Sequence, residues 1–202
     1  MRIKRFSKNN LMRQGSIAVV GAQRGVGVTG LCLALANFMH SVAGLEVLYI
    51  EVSESSEVYE LVRERPVSMG DSVGYDYMGV VYVVSATCNE ARKLMSQFRG
   101  IVILDLEELT EETKDIFLMA QKRLCLGSVM PWKTGVFVRY VENVINRYAT
   151  GVSVKFITKD KERKSKKVFE TATGKTLISV ANISDPFQLK EEEFQTILKI
   201  IQ

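Results

Sequence analysis

The sequence predicts a doubly wound, three-layer α/β sandwich with a mostly parallel sheet. Short apolar runs rich in β-branched residues, typical of strands buried on both faces, alternate with segments whose apolar residues recur at helical spacing. In addition, a strand, a glycine-rich turn, a helix and a second strand follow one another within residues 16–52, the arrangement of a βαβ unit with parallel strands. Both observations favour helices on the two faces of an open sheet.

The first half of the chain has clear element boundaries. Gly44 is expected to end the first helix as a C-cap, and Pro66 is expected to stop the second. Gly79 interrupts a later apolar run, YDYMGVVYVV, where it indicates a hairpin. The expected elements, in order, are a strand at 16–21, a helix at 29–42, a strand at 45–52, a helix at 55–65, a strand or hairpin at 75–84 and a helix at 89–98.

The second half continues the alternation and closes with a helix. The expected elements are strands at 101–106, 123–129, 152–157 and 177–181, and helices at 110–122, 135–148 and 190–201. The last helix begins with three glutamates, whereas helices that lie on membranes carry a basic polar face, so we expect its apolar face to dock on the sheet. Without repeats or a low-complexity linker, the sequence predicts a basic segment over residues 1–15 and one domain over residues 16–202.

Composition excludes several classes of protein. The chain has 202 residues, 47% of them hydrophobic, and no apolar run approaches the roughly 18 residues that a membrane span needs. The N-terminus lacks the long apolar stretch of a secretory signal. Cys32, Cys88 and Cys125 are scattered, which favours reduced thiols in a cytoplasmic protein. His40 is the only histidine, so a multi-histidine metal centre is excluded and a Ser-His triad is disfavoured.

Charge is modest overall but unevenly distributed. The net charge is +4, and two clusters are basic, MRIKRFSKNNLMRQG at residues 1–15 and KDKERKSKK at residues 159–167. Such clusters are typical of solvated tails and helix faces, and also of surfaces that attract acidic partners. The second cluster has no interleaved aromatic residue, so base stacking is not indicated and a nucleic-acid partner is not expected.

The most informative stretch is GAQRGVGVTG at residues 21–30, which supports two interpretations. It contains Gly-x-Gly-x-x-Gly, the dinucleotide-binding fingerprint, and Glu51 ends the next strand where a ribose-binding acid would lie. That fingerprint, however, places its first glycine directly at the strand end, whereas Gly25 comes four residues after Gly21. A tight βα turn without any ligand is a further interpretation.

The same stretch aligns with a phosphate-binding P-loop. Ala22 takes the place of the first glycine, and Gly27-Val28-Thr29 replaces Gly-Lys-Ser/Thr. Gly25 and Gly27 allow successive N–H groups to form an anion nest at the positive end of a helix. Thr29 supplies a hydroxyl for Mg²⁺. Val28 removes the cation that normally contacts the β- and γ-phosphates.

Two further features bear on this loop. Arg24 is its only basic side chain and is a candidate substitute for the missing lysine, and Asp105 ends an apolar strand where open α/β sheets hold ligands. The sequence GKT at residues 174–176 also matches part of a P-loop, but no apolar strand leads into it, so we expect a polar turn there.

These residues together resemble the MinD/ParA group of P-loop ATPases, whose loop has the form KGGxGKT. The matching segments are QRGVGVT at 23–29, the helix LCLALANFM at 31–39, the strand ending at Glu51 and IVILD at 101–105. The resemblance covers most of the chain in the order of its elements and is most specific over residues 16–51 and 99–107.

The sequence also departs from the family pattern. The dimer-crossing lysine of the family falls at Gln23 and the phosphate lysine at Val28, while Asp105 is followed by LEE instead of glycine. Thr158 stands where an asparagine often contacts adenine, and residues 185–187, DPF, are similar to the family's loop near the base. Atypical members with eroded loops, including TadZ-type proteins of pilus assembly, resemble the chain best.

The resemblance implies a P-loop NTPase-like fold that binds ATP or ADP with Mg²⁺. It further implies a localisation or assembly factor, working with protein partners of a secretion, pilus or conjugation-type assembly and forming a nucleotide-dependent homodimer. Loss of a cation at a transferring phosphoryl group costs on the order of 10²–10³ in rate, so weak or absent ATP hydrolysis is expected. The alternatives are a pseudo-ATPase scaffold without nucleotide and a Rossmann-type NAD-binding protein.

The candidate site follows from both lines of reasoning. The candidate Mg²⁺ ligands are Thr29 and Asp105. The candidate nucleotide-binding residues are Gly21, Gln23, Arg24, Gly25, Val26, Gly27, Val28, Thr29, Gly30, Glu51 and Asp105.

Overall fold

The computed structural model describes residues 12–54 and 56–201. Most of the predicted basic segment, residues 1–11, lies outside this part. The strands are β1 (Gly15–Gly21), β2 (Val47–Glu51), β3 (Pro66–Met69), β4 (Ser72–Tyr77), β5 (Val80–Val83), β6 (Ile101–Asp105), β7 (Lys122–Leu126), β8 (Lys155–Thr158) and β9 (Leu177–Ser179). The helices are α1 (Val28–Asn37), α2 (Tyr59–Val62), α3 (Cys88–Gln97), α4 (Lys114–Met119), α5 (Thr134–Tyr140), α6 (Asn146–Tyr148), α7 (Arg163–Thr173) and α8 (Glu191–Ile201). Two π-helical turns, Phe38–Val42 and Val141–Ile145, extend α1 and join α5 to α6.

The strands of the described chain form one sheet in the order β3-β4-β5-β2-β6-β1-β7-β8-β9. The β3–β4 and β4–β5 pairs are antiparallel, and every other pair is parallel. Parallel strands need crossover connections, and helices supply them here. The predicted fold class, a doubly wound and mostly parallel α/β sandwich, is confirmed.

Each central strand contributes side chains to two separate cores. In β1, Ile17 and Val19 face one core while Ala18 and Val20 face the other, and all four are fully buried. The first core contains α1 and α8, and the second contains α3, α4, α5 and α7. Strands buried on both faces therefore read as continuous apolar runs, and the sheet is the middle of three layers.

The α8 helix docks as predicted. Its Ile197 and Ile200 are fully buried in the first core, and the ring of Phe194 contacts that of Phe38 at a centroid distance of 5.7 Å. No helix in residues 12–54 and 56–201 combines the length and the apolar character that crossing a bilayer requires.

The helix predicted over residues 55–65 is largely wrong. Only α2, Tyr59–Val62, is helical, and Pro66 begins an edge strand instead of merely ending a helix. A strand at the sheet edge tolerates proline because its missing N–H need not serve a ladder. Gly70, with a φ of 73°, turns this strand back into β4. The predicted hairpin around Gly79 is confirmed.

Two other helices differ from expectation. The helix predicted over residues 110–122 is confined to α4, Lys114–Met119, because Thr110 and Thr113 form a side-chain-to-backbone turn ahead of it. The α7 helix, Arg163–Thr173, was not predicted. It is polar and anchored by Phe169, whose ring lies 4.4 Å from that of Phe137.

The sequence GKT at residues 174–176 is a polar turn, as predicted. Gly174 has a φ of 65° and forms the left-handed C-cap of α7. The remaining elements lie where predicted, with ends moved by a few residues.

Candidate functional site

The glycine-rich loop begins at the carboxyl edge of the sheet, between β6 and β7. The N–H of Gly21 donates to the Glu107 carbonyl at 2.7 Å, and the N–H of Ala22 donates to the Leu126 carbonyl at 2.8 Å. Glu107 itself has a φ of 52°, in the left-handed region that residues with side chains rarely occupy. The base of the loop is thus tied to both neighbouring strands.

The loop backbone has the curvature of an anion nest. Gly25 and Gly27 adopt φ values of 74° and 89°, and Gly27 is the N-cap of α1, its carbonyl accepting from the N–H of Leu31 at 3.1 Å. Successive N–H groups beside left-handed residues, at the positive end of a helix, favour bound anions. This part of the predicted site has the expected backbone.

Gly30 does not have the role that a dinucleotide fingerprint assigns to its last glycine. That glycine permits close helix–strand packing. In this structure, a Cβ added at Gly30 would meet no atom within 4 Å, and the residue has no positive φ. The spacing Gly-x-Gly-x-x-Gly therefore lacks the packing that gives it meaning in dinucleotide-binding folds.

The side chain of Val28 packs into the first core beneath the loop. Its side chain is 8% exposed and belongs to the first core, and its Cγ2 methyl would lie 2.9 Å from a Cβ placed on Gly21. The position that usually carries the phosphate lysine is therefore an apolar contact beneath the loop. Val26 lies beside it at 3.1 Å from the same point.

Asp105 lies behind the loop in a network of donors. Its carboxylate accepts from the Thr29 hydroxyl, from the Tyr49 phenol at 3.0 Å and from the Glu107 N–H at 3.3 Å. Burial raises the pKa of Asp105, and these three hydrogen bonds oppose the rise. The two predicted Mg²⁺ ligands, Thr29 and Asp105, are thus brought together.

Glu51 lies beside Asp105, since the two residues are register partners at the ends of β2 and β6. Glu51 is 7% exposed, and burial raises its pKa to about 7 against the hydrogen bonds from Ser56 and Ser85. Among the described residues, its Oε2 atom has no hydrogen-bond partner. A buried, unpartnered oxygen at this edge is available to a ligand.

The oxygen atoms at this edge fit a magnesium ion. Mg²⁺ takes oxygen ligands and is usually held by one or two carboxylates together with substrate phosphates, not by a complete protein cage. Thr29 and Asp105 could contribute the protein side of such a site. The described residues contain no group of three or more His, Cys, Asp or Glu side chains placed to hold a metal by themselves.

Gln23 is engaged within its own chain. Its Nε2 donates to the Lys133 carbonyl at 2.8 Å, and its Oε1 accepts from the Ser128 N–H at 3.1 Å. Both ends of the amide therefore fasten the P-loop to the β7–α5 connection. Gln23, at the position of the family's dimer-crossing lysine, therefore links two loops of its own chain in this structure.

The walls of the loop cavity are acidic. The cavity has a volume of about 330 Å³ and adjoins a cleft of about 990 Å³ between the ends of β5, β2 and β6, with the exposed Arg24 lining both. Among the described residues, Arg24 is the one basic residue that lines the smaller cavity. Five carboxyl side chains also line the smaller cavity: Glu51, Glu57, Asp105, Glu107 and Glu108.

Lys159 is a basic residue near the loop that sequence reasoning missed. It follows β8, and its Nζ lies 3.4 Å from the Gly27 carbonyl oxygen. In the sequence it is the first residue of a basic cluster predicted to be a solvated face, and nothing in that pattern separates it from the exposed Lys161. Only the return of β8 beside β7 brings it to the loop.

Thr158 and residues 185–187, the two features expected near the nucleotide base, lie in different parts of the structure. Thr158 is fully buried, and its hydroxyl accepts from the Asp160 N–H at 3.2 Å, so it shapes a turn. Residues 185–187 lie at the far end of α1, where the Pro186 carbonyl accepts from Asn37 at 3.0 Å. Asn37 lies nine positions after Val28 along the helix, which is about 13 Å of rise. Residues 185–187 therefore lie at the end of α1 that is opposite to the glycine-rich loop, and their position near a base stays a prediction.

Solved structures share this fold. The MinD cell division protein of Aquifex aeolicus matches with a TM-score of 0.63 and 13% identity, over 93% of this chain and 94% of that chain. A putative plasmid partition protein of Borrelia burgdorferi, bound to AMPPNP, matches with a TM-score of 0.62 and 13% identity, over 94% and 98%. A ParA family ATPase from Chlorobium tepidum TLS matches with a TM-score of 0.60 and 9% identity, over 94% and 90%.

These likenesses establish the fold. No protein-family model matches the chain, and no curated protein matches it by sequence. The chain has the P-loop NTPase-like fold of MinD and ParA proteins, as its sequence predicted.

Proposed function

We propose that the chain is an atypical MinD/ParA-type P-loop protein, similar to TadZ-type proteins, that binds ATP or ADP with Mg²⁺ and hydrolyses ATP weakly or not at all. The observation that carries this proposal is the Thr29 hydroxyl bonded to the Asp105 carboxylate at the foot of a loop whose glycines keep an anion nest. Backbone N–H groups and the helix end can bind phosphate without a lysine.

Weak hydrolysis follows from the charge of the site. Phosphoryl transfer depends on positioning and on stabilising negative charge in the transition state. Val28 contributes no charge, and Gln23 is held by the β7–α5 connection. Five carboxyl groups line the cavity with Arg24, so Mg²⁺ is needed to offset repulsion of the phosphates.

We further propose that the protein acts in the cytoplasm as a localisation or assembly factor of a secretion, pilus or conjugation-type machine, with nucleotide-dependent homodimerisation. Trp132 supports a contact surface at the P-loop edge, because it is 71% exposed and lies in the connection that Gln23 holds. Large exposed aromatic side chains often mark interaction sites. The single domain over residues 16–202 and a separate basic segment over residues 1–15 are part of this proposal.

A pseudo-ATPase scaffold without nucleotide is the second candidate. The acidic lining of the cavity favours it, since phosphate would have to overcome that repulsion. Two observations argue against the Rossmann-type NAD-binding interpretation. Gly30 has no close packing contact that would require a glycine, and Gly25 does not lie at the end of β1.

The test is calorimetric titration of the full chain with ATP and ADP, with and without Mg²⁺. We expect Mg²⁺-dependent heat with both nucleotides and none with NADH. Absence of heat at about 1 mM nucleotide, a free energy weaker than about −4 kcal/mol, would favour the scaffold without nucleotide. Phosphate release from ATP, measured in parallel, should stay close to the rate without protein.

Two glycine substitutions make a matched pair for this titration. Gly27→Ala forces a side chain into a left-handed residue and towards Lys159 Nζ, 2.5 Å from the new Cβ, and should abolish nucleotide binding. Gly30→Ala enters open space and should bind as the unmodified chain does. Equal losses in the two variants would argue against a role for the loop backbone.

A further inference from the structure

We propose that Lys159 is a phosphate-binding residue of the P-loop, which supplies from the turn after β8 the cation that Val28 lacks. The proposal rests on the proposed function, because it names the group that would offset phosphate charge at that site. It assigns to Lys159 the role that the sequence leaves open for Arg24, and the ligand group it would contact is a phosphate oxyanion.

The position of the ammonium group is the first observation. Lys159 Nζ donates to the Gly27 carbonyl at 3.4 Å, and it occupies the space into which a Cβ on Gly27 would project, at 2.5 Å from that point. Gly27 is the N-cap of α1 and part of the anion nest. The ammonium is therefore at the rim of the nest, where its bond to a single carbonyl, 3.4 Å long, leaves other donors for a ligand.

The second observation is that this cation has no anionic partner within residues 12–54 and 56–201. Lys159 is half-buried, and no carboxylate of the described chain lies within ion-pair distance of it. Burial lowers the pKa of Lys159 accordingly. A partly buried ammonium without a counter-charge is unfavourable, and a bound phosphate would supply that charge.

The neighbouring acid is occupied elsewhere. Asp160 Oδ2 accepts from the Ser128 hydroxyl at 2.7 Å, from the Val129 N–H at 2.7 Å and from the Met130 N–H at 3.1 Å. These bonds fix the turn after β8 against the β7–α5 connection. Lys159 is thus held at the loop by its neighbour without being neutralised by it.

Lys159 and Arg24 lie on different sides of the loop. Arg24 is exposed and lines the cleft at the ends of β5, β2 and β6, whereas Lys159 comes from the β8 side and contacts the helix cap. Lys161, two residues further on, is exposed. Lys161 carries the same charge as Lys159 but is exposed, so it is the matched control.

The experiment compares Lys159→Met with Lys161→Met in the full chain. Methionine keeps an apolar stem and removes the charge. We expect Lys159→Met to weaken binding of Mg²⁺-ATP and Mg²⁺-ADP by about 10- to 100-fold, as for a lost charge-assisted hydrogen bond, and Lys161→Met to leave both unchanged. The Tm of ligand-free Lys159→Met should equal or exceed that of the unmodified chain, because an unpaired cation has been removed.

A second readout does not depend on nucleotide binding. The ε-carbon NMR signal of Lys159, assigned by its loss in Lys159→Met, is followed through a pH titration with and without pyrophosphate. We expect pyrophosphate to raise the pKa of Lys159 towards its ordinary value, since an adjacent anion favours the charged form. Adenosine, which lacks phosphate, should leave the signal in place.

The outcomes separate the two proposals. Unchanged nucleotide affinity in Lys159→Met overturns the role of Lys159 and leaves the proposed function standing. A lowered Tm in Lys159→Met together with weaker binding assigns Lys159 a structural bond to Gly27 and also overturns the proposal. If the unmodified chain binds no nucleotide but the Lys159 signal responds to pyrophosphate, the phosphate role holds and nucleotide binding fails. No response to either ligand overturns both.

Discussion

Glu51 and Asp105 are two carboxyl groups withdrawn from water at adjacent strand ends. Asp105 receives hydrogen bonds from Thr29, Tyr49 and the backbone, whereas Oε2 of Glu51 has no partner among the described residues. Burial is the main cause that raises the pKa of Glu51; the nearby charge of Asp105 adds a smaller rise, and the hydrogen bonds from Ser56 and Ser85 oppose it. Glu51 accordingly has a pKa of about 7.

This pKa makes stability depend on pH. The pKa of Glu51 rises from 4.5 in the unfolded chain to about 7 in the folded protein. Glu51 therefore contributes its full share to the free energy of unfolding below about pH 4.5, where it is protonated in both states. This contribution is lost as pH rises through about 7, where the buried carboxyl must ionise. We expect Glu51→Gln, which keeps a neutral side chain, to be more stable than the unmodified chain at pH 8, by about 1–3 kcal/mol, and similar to it at pH 5.

Urea unfolding at several pH values between 5 and 8 measures this difference. Asp105 and Glu107 also face Glu51 and are present in both proteins, so only the difference between the two curves is informative. Glu54→Gln, at an exposed position of the same connection, is the control and should follow the unmodified chain. Parallel curves for Glu51→Gln would contradict a raised pKa.

Spacing in the sequence predicted the site residues that belong to one loop or lie at the ends of adjacent strands. Gly25, Gly27 and Thr29 are close in sequence, and Asp105 ends an apolar strand, so their meeting could be expected. Lys159 lies 132 positions from Gly27, and its approach depends on the packing of β8 beside β7. No local pattern encodes that contact.

Among the elements, helices with caps and regular apolar spacing were predictable. The α3 helix has a capping box in which Thr87 and Glu90 each bond the other's backbone, a four-residue signal visible in the sequence. The α7 helix has one fully buried residue, Phe169, in an otherwise polar stretch. A helix held by one buried aromatic residue, which contacts the rings of Phe137 and Phe156, has no apolar period to detect, because tertiary packing supplies its stability.

The α8 helix offers a test of the first core. Ile197 is fully buried against α1 and the sheet, so Ile197→Ala should lower the free energy of unfolding by about 2–5 kcal/mol. Gln195, on the exposed face of the same helix, should tolerate alanine within about 0.5 kcal/mol. Urea denaturation followed by circular dichroism measures both variants. A loss below about 0.5 kcal/mol in Ile197→Ala would contradict the docking of α8.

In the whole molecule, the site lies where the connections diverge. After β1 the chain enters α1 on one face of the sheet, and after the adjacent β6 it enters α4 on the other. Such a divergence opens a crevice at the carboxyl ends of the strands, where open α/β sheets bind ligands. The fold class was predictable from the alternation of patterns. The insertion of β6 between β1 and β2 was not, because the central strands are all similarly apolar.

The proposed dimer predicts a change at Trp132. Because Trp132 is the chain's one tryptophan and lies at the P-loop edge, Mg²⁺-ATP should both shift the elution volume to that of a dimer and move its fluorescence to shorter wavelength. Trp132→Ala should weaken the dimer and leave nucleotide binding to the monomer unchanged, when affinity is measured at a protein concentration too low for the dimer to form. Met119 is also exposed but lies near Gly15 at the opposite edge, so Met119→Ala should behave as the unmodified chain. A dimer that forms with unchanged fluorescence would place the contact elsewhere.

The open space at Gly30 makes the loop accessible to site-specific labelling. The native thiols of Cys32 and Cys125 are buried, and burial raises the pKa of all three cysteines, which slows their reaction with maleimide dyes. A cysteine introduced as Gly30→Cys would instead lie in the first turn of α1, where the helix end favours the thiolate. A dye attached there would report on the P-loop selectively, without removal of the native cysteines.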